Sequence, residues 1–419
     1  MSLKKLLSMI LLLAASGAQA CTSAIISGKA TADGRPLMWK HRDTDRQWNH
    51  LAHSQGEKFA FTGLVNSDDP SGDIWTGINE AGFGIMNTAS YNLKDDTLQP
   101  MDGEGRLMRL ALGQCKDLND FEHFLDTLTR PMRVEANFGV IDAYGGAAYY
   151  ETNNHRYYKR DVNDEKLAPH GYLIYTNFSF NGRKDEGLGY VRYRTAEILF
   201  GNFRKQDFTP AHILAECSRS FLNSQLGYDL KDEAFSPSRA ANWAVEQDYI
   251  PRRESSAAIV IQGVRPGTAS DGILMWTVLG YPPASPAIPV WVKTGSRLPA
   301  LLAASEKSGH APLCEKAVQF KKIIFPIQRG NGQKYIAWNV LYHPKDNSGI
   351  LQQIQSVEDE IFALTASYQS RWKQQSPDSE DIEKLYEQIT DLVRDSYIQK
   401  FGISFDTLPA LSGPQSVNH

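Results

Sequence analysis

Short apolar runs separated by turn residues dominate the first 300 residues of the chain. The run Cys21–Ser27 is apolar and β-branched, which predicts a buried strand. A turn at Asp33-Gly34 separates it from Leu37–Arg42, the returning strand of a hairpin. A second hairpin is predicted from Asp73–Ile78 and Phe83–Asn87, joined by an Asn-Glu-Ala-Gly turn. Further strands are predicted at Phe138–Ile141, Ala147–Glu151, Tyr172–Thr176, Ala257–Gln262, Ile273–Leu279 and Ile288–Val292.

Apolar positions three and four residues apart predict helices between these blocks of strands. The helices are predicted at Arg106–Cys115, Leu118–Leu128, Tyr190–Phe203, Pro210–Asn223 and Ser238–Glu246. Asp117 and Thr209 are placed to act as N-caps of two of them. Strand pairs and helix pairs occur in blocks rather than in strict alternation, so we expect an α+β fold with largely antiparallel sheets.

From about residue 351 the pattern becomes polar and helical, and a break at Ser376–Ser379 divides it into two helices. We expect an α-hairpin packed on the main body, and a dimer-forming arm that makes a homo-oligomer is the alternative. The predicted organisation is a main domain over residues 21–345, a helical extension over 346–405 and a disordered tail over 406–419.

Residues 1–20 have the pattern of a secretory signal peptide. Two lysines precede an apolar stretch, and Ala18-Gln19-Ala20 is a small-x-small cleavage site. Cleavage there would make Cys21 the first residue of a periplasmic or secreted protein. Such a cysteine carries a thiol and a free α-amine, which is a nucleophile with its own base. Two alternatives stay open: an acylated lipoprotein cysteine, whose usual signal Ala18 and Gln19 fit poorly, and a structural half-cystine.

The composition limits the classes of partner. Loss of Lys4 and Lys5 with the signal changes the formal charge from −4 to −6, which argues against nucleic acid or an anionic membrane as partner. Beyond the signal no apolar run approaches the ~18 residues that a spanning helix needs. We predict no metal and no cofactor, because no Cys-x-x-Cys or His-x-x-x-His spacing occurs. Cys115 and Cys217 are expected to be buried small hydrophobes, and any disulfide among them and Cys314 stays open.

Charged residues follow the second predicted strand, in His41-Arg42-Asp43-Thr44-Asp45. The hairpin returns this segment to Cys21, where Arg42 could favour a thiolate and Asp45 or Asp43 could accept a hydrogen bond from the α-amine. Unperturbed α-amines and thiols titrate at about 7.7 and about 8.5, so modest tuning allows proton exchange between them. A solvated, charged hairpin end is the alternative.

Three further polar residues stand at the ends or starts of predicted elements. Asn87 ends the second hairpin, Asn177 follows an apolar strand, and Arg239 lies at the start of a predicted helix. Each also has an ordinary structural explanation, as a turn residue, a strand cap or a surface ion pair.

Together these residues resemble a known family. The matching segments are Cys21-Thr22, Arg42-x-x-Asp45, Asn79-Glu-Ala-Gly82 followed by Asn87, Thr176-Asn177 and Ser238-Arg239. They resemble the linear-amide C–N hydrolases of the N-terminal nucleophile superfamily, which include choloylglycine (bile salt) hydrolases, penicillin V acylases and the acyl-CoA:6-aminopenicillanic acid acyltransferase-like group. His41 and Asp43 differ from bile salt hydrolases and favour the acyltransferase-like branch.

The resemblance implies a four-layer αββα sandwich with Cys21 at one end of the sheet pair. It implies Cys21 as nucleophile, Arg42 and Asp45 as its electrostatic neighbours, Asn177 with the Asn87 region as oxyanion site, and Arg239 as a brace. The implied reaction cleaves a small-molecule N-acyl amide through a Cys21 thioester. A dipeptidase or acyltransferase of the same superfamily, or a binding lipoprotein acylated at Cys21, are the alternatives.

Overall fold

The computed structural model describes residues 20–232, 242–372 and 377–405, so the expected signal peptide and the expected tail lie outside it, except for Ala20. Two antiparallel sheets form the centre of this part of the chain. In order across the first sheet, the strands are Tyr172–Tyr175 (β10), Ala20–Ile26 (β1), Leu37–Asp43 (β2), Ser255–Gln262 (β14), Leu274–Leu279 (β15) and Ile288–Trp291 (β16).

The second sheet follows chain order. Its strands are Asn49–Gln55 (β3), Ala60–Asn66 (β4), Thr76–Asn79 (β5), Gly84–Ala89 (β6), Ala136–Ile141 (β7), Ala147–Thr152 (β8) and Tyr157–Asp161 (β9). Two small ribbons pair Leu222–Asn223 (β11) with Tyr228–Asp229 (β12) and Trp243–Val245 (β13) with Tyr335–Ala337 (β17).

Helices cover the outer faces of both sheets. Glu104–Gln114 (α1) and Leu118–Thr127 (α2) lie with the second sheet, and Tyr190–Gly201 (α3), Pro210–Glu216 (α4) and Pro312–Ile324 (α5) lie with the first. The remaining helices are Trp338–Leu341 (α6), Ile350–Arg371 (α7) and Ser379–Phe401 (α8).

The two large sheets face each other. Ser23 Oγ of β1 lies 2.9 Å from the Tyr149 hydroxyl of β8 in the opposite sheet. On the other face of the first sheet, Trp39 Nε1 donates to Ser218 Oγ, just after α4. Asn79 of the second sheet donates to a carbonyl oxygen of α1. The layers therefore run helix, sheet, sheet, helix, and the predicted α+β class and αββα sandwich are confirmed.

The two C-terminal helices pack against each other and share the core of the sandwich. The Phe362 ring of α7 stacks on Trp276 of β15, with ring centroids 3.9 Å apart. Both terminal nitrogens of the buried Arg219 donate to the Glu358 carboxylate of α7 at 2.6 Å. This is the α-hairpin on the main body that the sequence predicts. No helix of the described residues is long and apolar enough to cross a bilayer.

Two of the predicted helices are corrected. The helix predicted over Pro210–Asn223 ends at Glu216, because buried Arg219 turns to pair with Glu358 and the chain then forms β11. The helix predicted over Ser238–Glu246 falls partly on residues 233–241, outside the described residues, and its remainder is strand β13. Pairing with β17, about 90 residues later in the sequence, overrides the local pattern there.

The predictions for helix N-caps and for two of the cysteines are confirmed. The Asp117 carboxylate accepts from Asp120 N–H and the Thr209 hydroxyl accepts from His212 N–H, so both N-caps are confirmed. Cys115 and Cys217 are buried and unpaired, as expected. Burial raises the pKa of Cys115 to about 12 and that of Cys217 well above its ordinary value, so neither thiol is a ready nucleophile.

Candidate active site

Cys21 lies in the second position of β1, on the face that points to the opposite sheet. The pairing of β1 with β2 sets Cys21 opposite Arg42 and Ser23 opposite Lys40. Residues directly opposite in an antiparallel pair share a face, so these four side chains lie on the inner face of the sheet. Cys21 is only 4% exposed. The predicted hairpin therefore brings Arg42 to Cys21.

The main chain of Cys21 is held on both sides. Its N–H donates to Asn177 Oδ1 at 3.0 Å, at the end of β10. Its carbonyl oxygen accepts from the Arg192 guanidinium of α3 at 2.8 Å, and the same guanidinium donates to Asn177 Oδ1 at 2.9 Å. Arg192 is buried, so it ties Cys21 and Asn177 together without access to solvent. In this structure Ala20 precedes Cys21, so the nitrogen of Cys21 is a peptide N–H.

Two buried cations lie beside the Cys21 side chain. The Arg42 guanidinium donates to Asn66 Oδ1 at 2.9 Å and lies 5.0 Å from the centre of the Trp75 ring. Lys40 Nζ donates to the Trp75 carbonyl oxygen at 2.5 Å and to Asn87 Oδ1 at 2.7 Å. Burial lowers the pKa of Lys40 to about 7 and that of Arg42 to about 10, and Cys21 opposes both changes. Both side chains share the inner face of the sheet with the Cys21 thiol.

A cavity of about 760 Å³ opens beside these residues. Its walls include Trp75, Ala89 and Leu188. The carbonyl oxygen of Ala89 accepts a hydrogen bond from Asn177 Nδ2, and the backbone of Leu188 pairs with that of Asn177. Four carboxyl groups and one ammonium group also line it: Asp102, Glu104, Glu135, Glu186 and Lys94. The cavity is large enough for a small molecule and mainly acidic.

The candidate carboxylates of the sequence lie elsewhere. Asp45 is exposed, and its Oδ1 accepts from its neighbour Thr44. Asp43, the alternative, projects from the outer face of β2, where Arg252 and Ser255 bind its carboxylate at 2.6 Å. The structure thus brings together Cys21, Arg42, Asn177 and, through Lys40, Asn87. It gives Asp45 no hydrogen bond to Cys21. Arg239 lies outside the described residues.

Sequence reasoning missed two residues of this group. Lys40 is two positions before Arg42 in a predicted strand, so the period of two already placed it on the face of Cys21. No sequence pattern marks Arg192. It is one of several charged residues in its helix, and it lies 171 positions from Cys21 in the sequence.

One group among the described residues has the make-up of a metal site: Asp95, Asp96 and His155. His155 Nε2 lies 2.9 Å from Asp96 Oδ2, and Arg156 pairs with Asp95 at 2.6 Å. These side chains therefore satisfy one another in the structure.

Comparison with known proteins yields remote structural likenesses. No family model and no curated protein matches the chain. A Caenorhabditis elegans ortholog of N-acylethanolamine-hydrolyzing acid amidase is 13% identical, with a TM-score of 0.36, over 59% of this chain and 94% of its own.

Two bacterial structures give similar values. A variant of the conjugated bile acid hydrolase of Clostridium perfringens is 11% identical, with a TM-score of 0.37, over 65% of this chain and 92% of its own. Penicillin V acylase from Agrobacterium tumefaciens is 11% identical, with a TM-score of 0.37, over 65% of this chain and 85% of its own. Identities and TM-scores as low as these do not support a conclusion about activity.

Proposed function

We propose that the chain is an exported amidase whose nucleophile is the amino-terminal Cys21 of the mature protein. The observation that carries this proposal is the convergence on Cys21 of Asn177 at its nitrogen and of Lys40 and Arg42 at its side chain, beside a cavity. A buried thiol between two cations is suited to nucleophilic attack, whereas the buried Cys115 and Cys217 are not. The resemblance to N-terminal nucleophile hydrolases supports the same reaction class.

The reaction follows from these groups. Cleavage before Cys21 converts its peptide nitrogen into an amine, and Asn177 Oδ1 is already placed to accept one of its hydrogens. The amine takes the thiol proton, and the sulfur attacks the amide carbonyl to form a tetrahedral oxyanion. The C–N bond then breaks, the ammonium returns the proton to the leaving amine, and a thioester remains. Water, with its proton taken by the same amine, releases the carboxylic acid and restores the thiol.

The positive charge of the inner face has a defined part in this scheme. Lys40 and Arg42 lie beside the sulfur and offset the negative charge of the thiolate. The side-chain amide of Asn87 is the donor that we assign to the oxyanion, because its oxygen is already bound by Lys40. Asn177 instead holds the Cys21 nitrogen, which differs from the oxyanion role that the resemblance implies for it.

The charge of the cavity indicates the kind of substrate. Burial raises the pKa of Glu104 to about 8, so three carboxylates, Asp102, Glu135 and Glu186, face one ammonium group on the walls, and an anionic substrate would meet repulsion. We therefore expect neutral or cationic N-acyl amides to be hydrolysed in preference to anionic ones such as bile salts. The substrate panel therefore contains N-acyl amides and dipeptides. Assays with an added acceptor amine test whether the enzyme transfers the acyl group to an amine instead of to water.

The test begins with the mature protein from an exporting host. Intact-mass measurement should give a chain that starts at an unmodified Cys21, and Cys21→Ala should remove hydrolysis of every active amide in the panel. The same variant should show no acyl adduct by mass spectrometry after mixing with substrate, whereas the parent protein should. A lipid-modified Cys21, a different first residue or full activity in Cys21→Ala would contradict the proposal.

A further inference from the structure

We propose that Lys40 is a positioning residue, which orients the side-chain amide of Asn87 toward the carbonyl oxygen of the substrate. This inference rests on the function proposed above and assigns a role to a residue that the family resemblance does not include. Lys40 shares the inner face of the first sheet with Cys21, and Asn87 belongs to β6 of the opposite sheet. The contact between them therefore crosses from one sheet to the other.

The chemistry of the contact fixes the orientation of the amide. The protonated Lys40 Nζ has only donors, and it donates to the oxygen of the Asn87 amide at 2.7 Å. The nitrogen of the amide then points away from Lys40. Asn87 is 3% exposed, and in the described part of the chain no acceptor takes a hydrogen bond from its Nδ2. Its side-chain N–H groups therefore have no partner among the described residues and are available to an oxyanion.

Lys40 is itself held firmly enough to act in this way. Its Nζ also donates to the Trp75 carbonyl oxygen at 2.5 Å. The N–H of Trp75 donates to the carbonyl oxygen of Leu64 in β4 at 2.9 Å, so this acceptor is part of the second sheet. Lys40 is 2% exposed. Two fixed acceptors and complete burial leave its ammonium one position, and that position determines how Asn87 is turned.

A comparison of two reactions of the Cys21 thiol tests this role without an amide substrate. Acylation by p-nitrophenyl acetate passes through an oxyanion, whereas alkylation by iodoacetamide does not. We expect Lys40→Met to slow acylation of the mature protein about 10- to 100-fold more than it slows alkylation. Lys40→Gln keeps a hydrogen-bond donor and should recover part of the loss. An equal effect of Lys40→Met on both reactions would overturn the proposal, because it would show an action on the thiol alone.

A double-mutant cycle with Asn87→Ala separates positioning from a general structural effect. If Lys40 acts through Asn87, adding Lys40→Met to Asn87→Ala slows acylation no more than it slows alkylation, and with an active amide the Lys40→Met variant has a lower kcat and a KM within about threefold of the parent value. Equal losses from Lys40→Met in both backgrounds would overturn it. Ser23→Ala is the matched control, because it removes another contact between the sheets, with Tyr149, and should leave the acylation rate within about twofold.

The failures of the two proposals are distinguishable. A parent protein whose Cys21 is neither acylated nor alkylated contradicts the proposed function and this inference together. A parent protein that is acylated, with a Lys40→Met variant that is acylated equally fast and melts at a similar temperature, contradicts only the role of Lys40.

Discussion

The two faces of strand β2 both bury ionisable side chains, but the surroundings of these side chains differ between the faces. On the outer face, under the helices, lie His41 and Asp43, and on the inner face, between the sheets, lie Lys40 and Arg42. The outer face pairs its charges. Arg252 donates to Asp43 at 2.6 Å and to Asp248 at 2.9 Å, and Asp248 also accepts from the Arg192 guanidinium.

On the inner face, Lys40 and Arg42 form no ion pair with any carboxylate of the described residues. The hydrogen-bond partners of Lys40 and Arg42 in the described residues are amide, carbonyl and hydroxyl oxygens, all neutral. Burial therefore lowers the pKa of both. On the outer face burial also acts against the charges, but there the pKa of Arg252 is raised above its ordinary value by Asp43 and Asp248, and that of Asp43 is lowered, chiefly by Arg252.

This difference in charge pairing suggests that the outer face of β2 serves stability and that the inner face serves the reaction. A buried ion pair satisfies itself and has nothing to offer a ligand. Buried cations with neutral partners retain an attraction for an anion, and on the inner face the Cys21 thiolate and the oxyanion of the reaction can supply it. The alternation of β2 therefore assigns the residues of one strand to two roles according to the face on which they lie.

The largest expected effect is on the paired face. Asp43→Asn leaves Arg252 buried without its main counter-ion, and should lower the free energy of unfolding by about 3–5 kcal/mol in urea titrations. Asp45→Asn is the matched control: the same change two residues away, on an exposed side chain, should cost less than about 0.5 kcal/mol. Equal small effects at the two positions would mean that the outer face does not depend on its ion pairs.

The second effect concerns the pH dependence of stability on the unpaired face. The pKa of Lys40 is about 7 in the folded protein, below its ordinary value of 10.5, so between these values the unfolded chain holds more protons. The contribution of Lys40 to stability therefore rises with pH. Between pH 7 and 10 the parent protein should gain roughly 2–4 kcal/mol relative to Lys40→Met, measured by urea unfolding at several pH values. A constant difference would indicate that Lys40 has a counter-ion after all.

The third effect is of similar size to the second, and it tests whether Glu104 is the counter-ion of Lys40. Burial raises the pKa of Glu104 to about 8 from an ordinary value of 4.5, so the folded protein holds its proton through the neutral range. Between pH 5 and 8 the parent protein should lose roughly 2–4 kcal/mol of stability relative to Glu104→Gln. Stability curves that stay parallel would mean that Glu104 is ionised near Lys40, and the contrast between the two faces would then be weaker than we infer.

The sequence predicts the part of the site that local rules control. Turn chemistry at Asp33-Gly34 and the period of two set Arg42 opposite Cys21, and the structure contains that pair. Asn177 was found as a polar residue at the end of an apolar strand. Arg192 and Ser255 were not found, because what places them beside β1 and β2 is packing between segments far apart in the sequence.

Two of the strands that the sequence analysis missed are explained by their position at the edges of a sheet. Asn49–Gln55 and Tyr157–Asp161 are the edge strands of the second sheet, with polar and half-exposed side chains. Apolar alternation is weak in such strands, since much of each side faces water. Ala60–Asn66 was also missed although it is a buried central strand, so its position in the sheet does not explain that miss.

Ala20 has a consequence for the timing of activity. It extends β1 by one residue, pairs with Asp43 across the strands and is itself buried. While it remains attached, the Cys21 nitrogen has a single hydrogen, which Asn177 already accepts, and no lone pair free to take a proton. A precursor still carrying its leader would thus be a latent form with a sulfur but no base. In the proposed mechanism, removal of the leader both releases the protein and creates the catalytic amine. The protein would therefore not hydrolyse amides inside the producing cell before export.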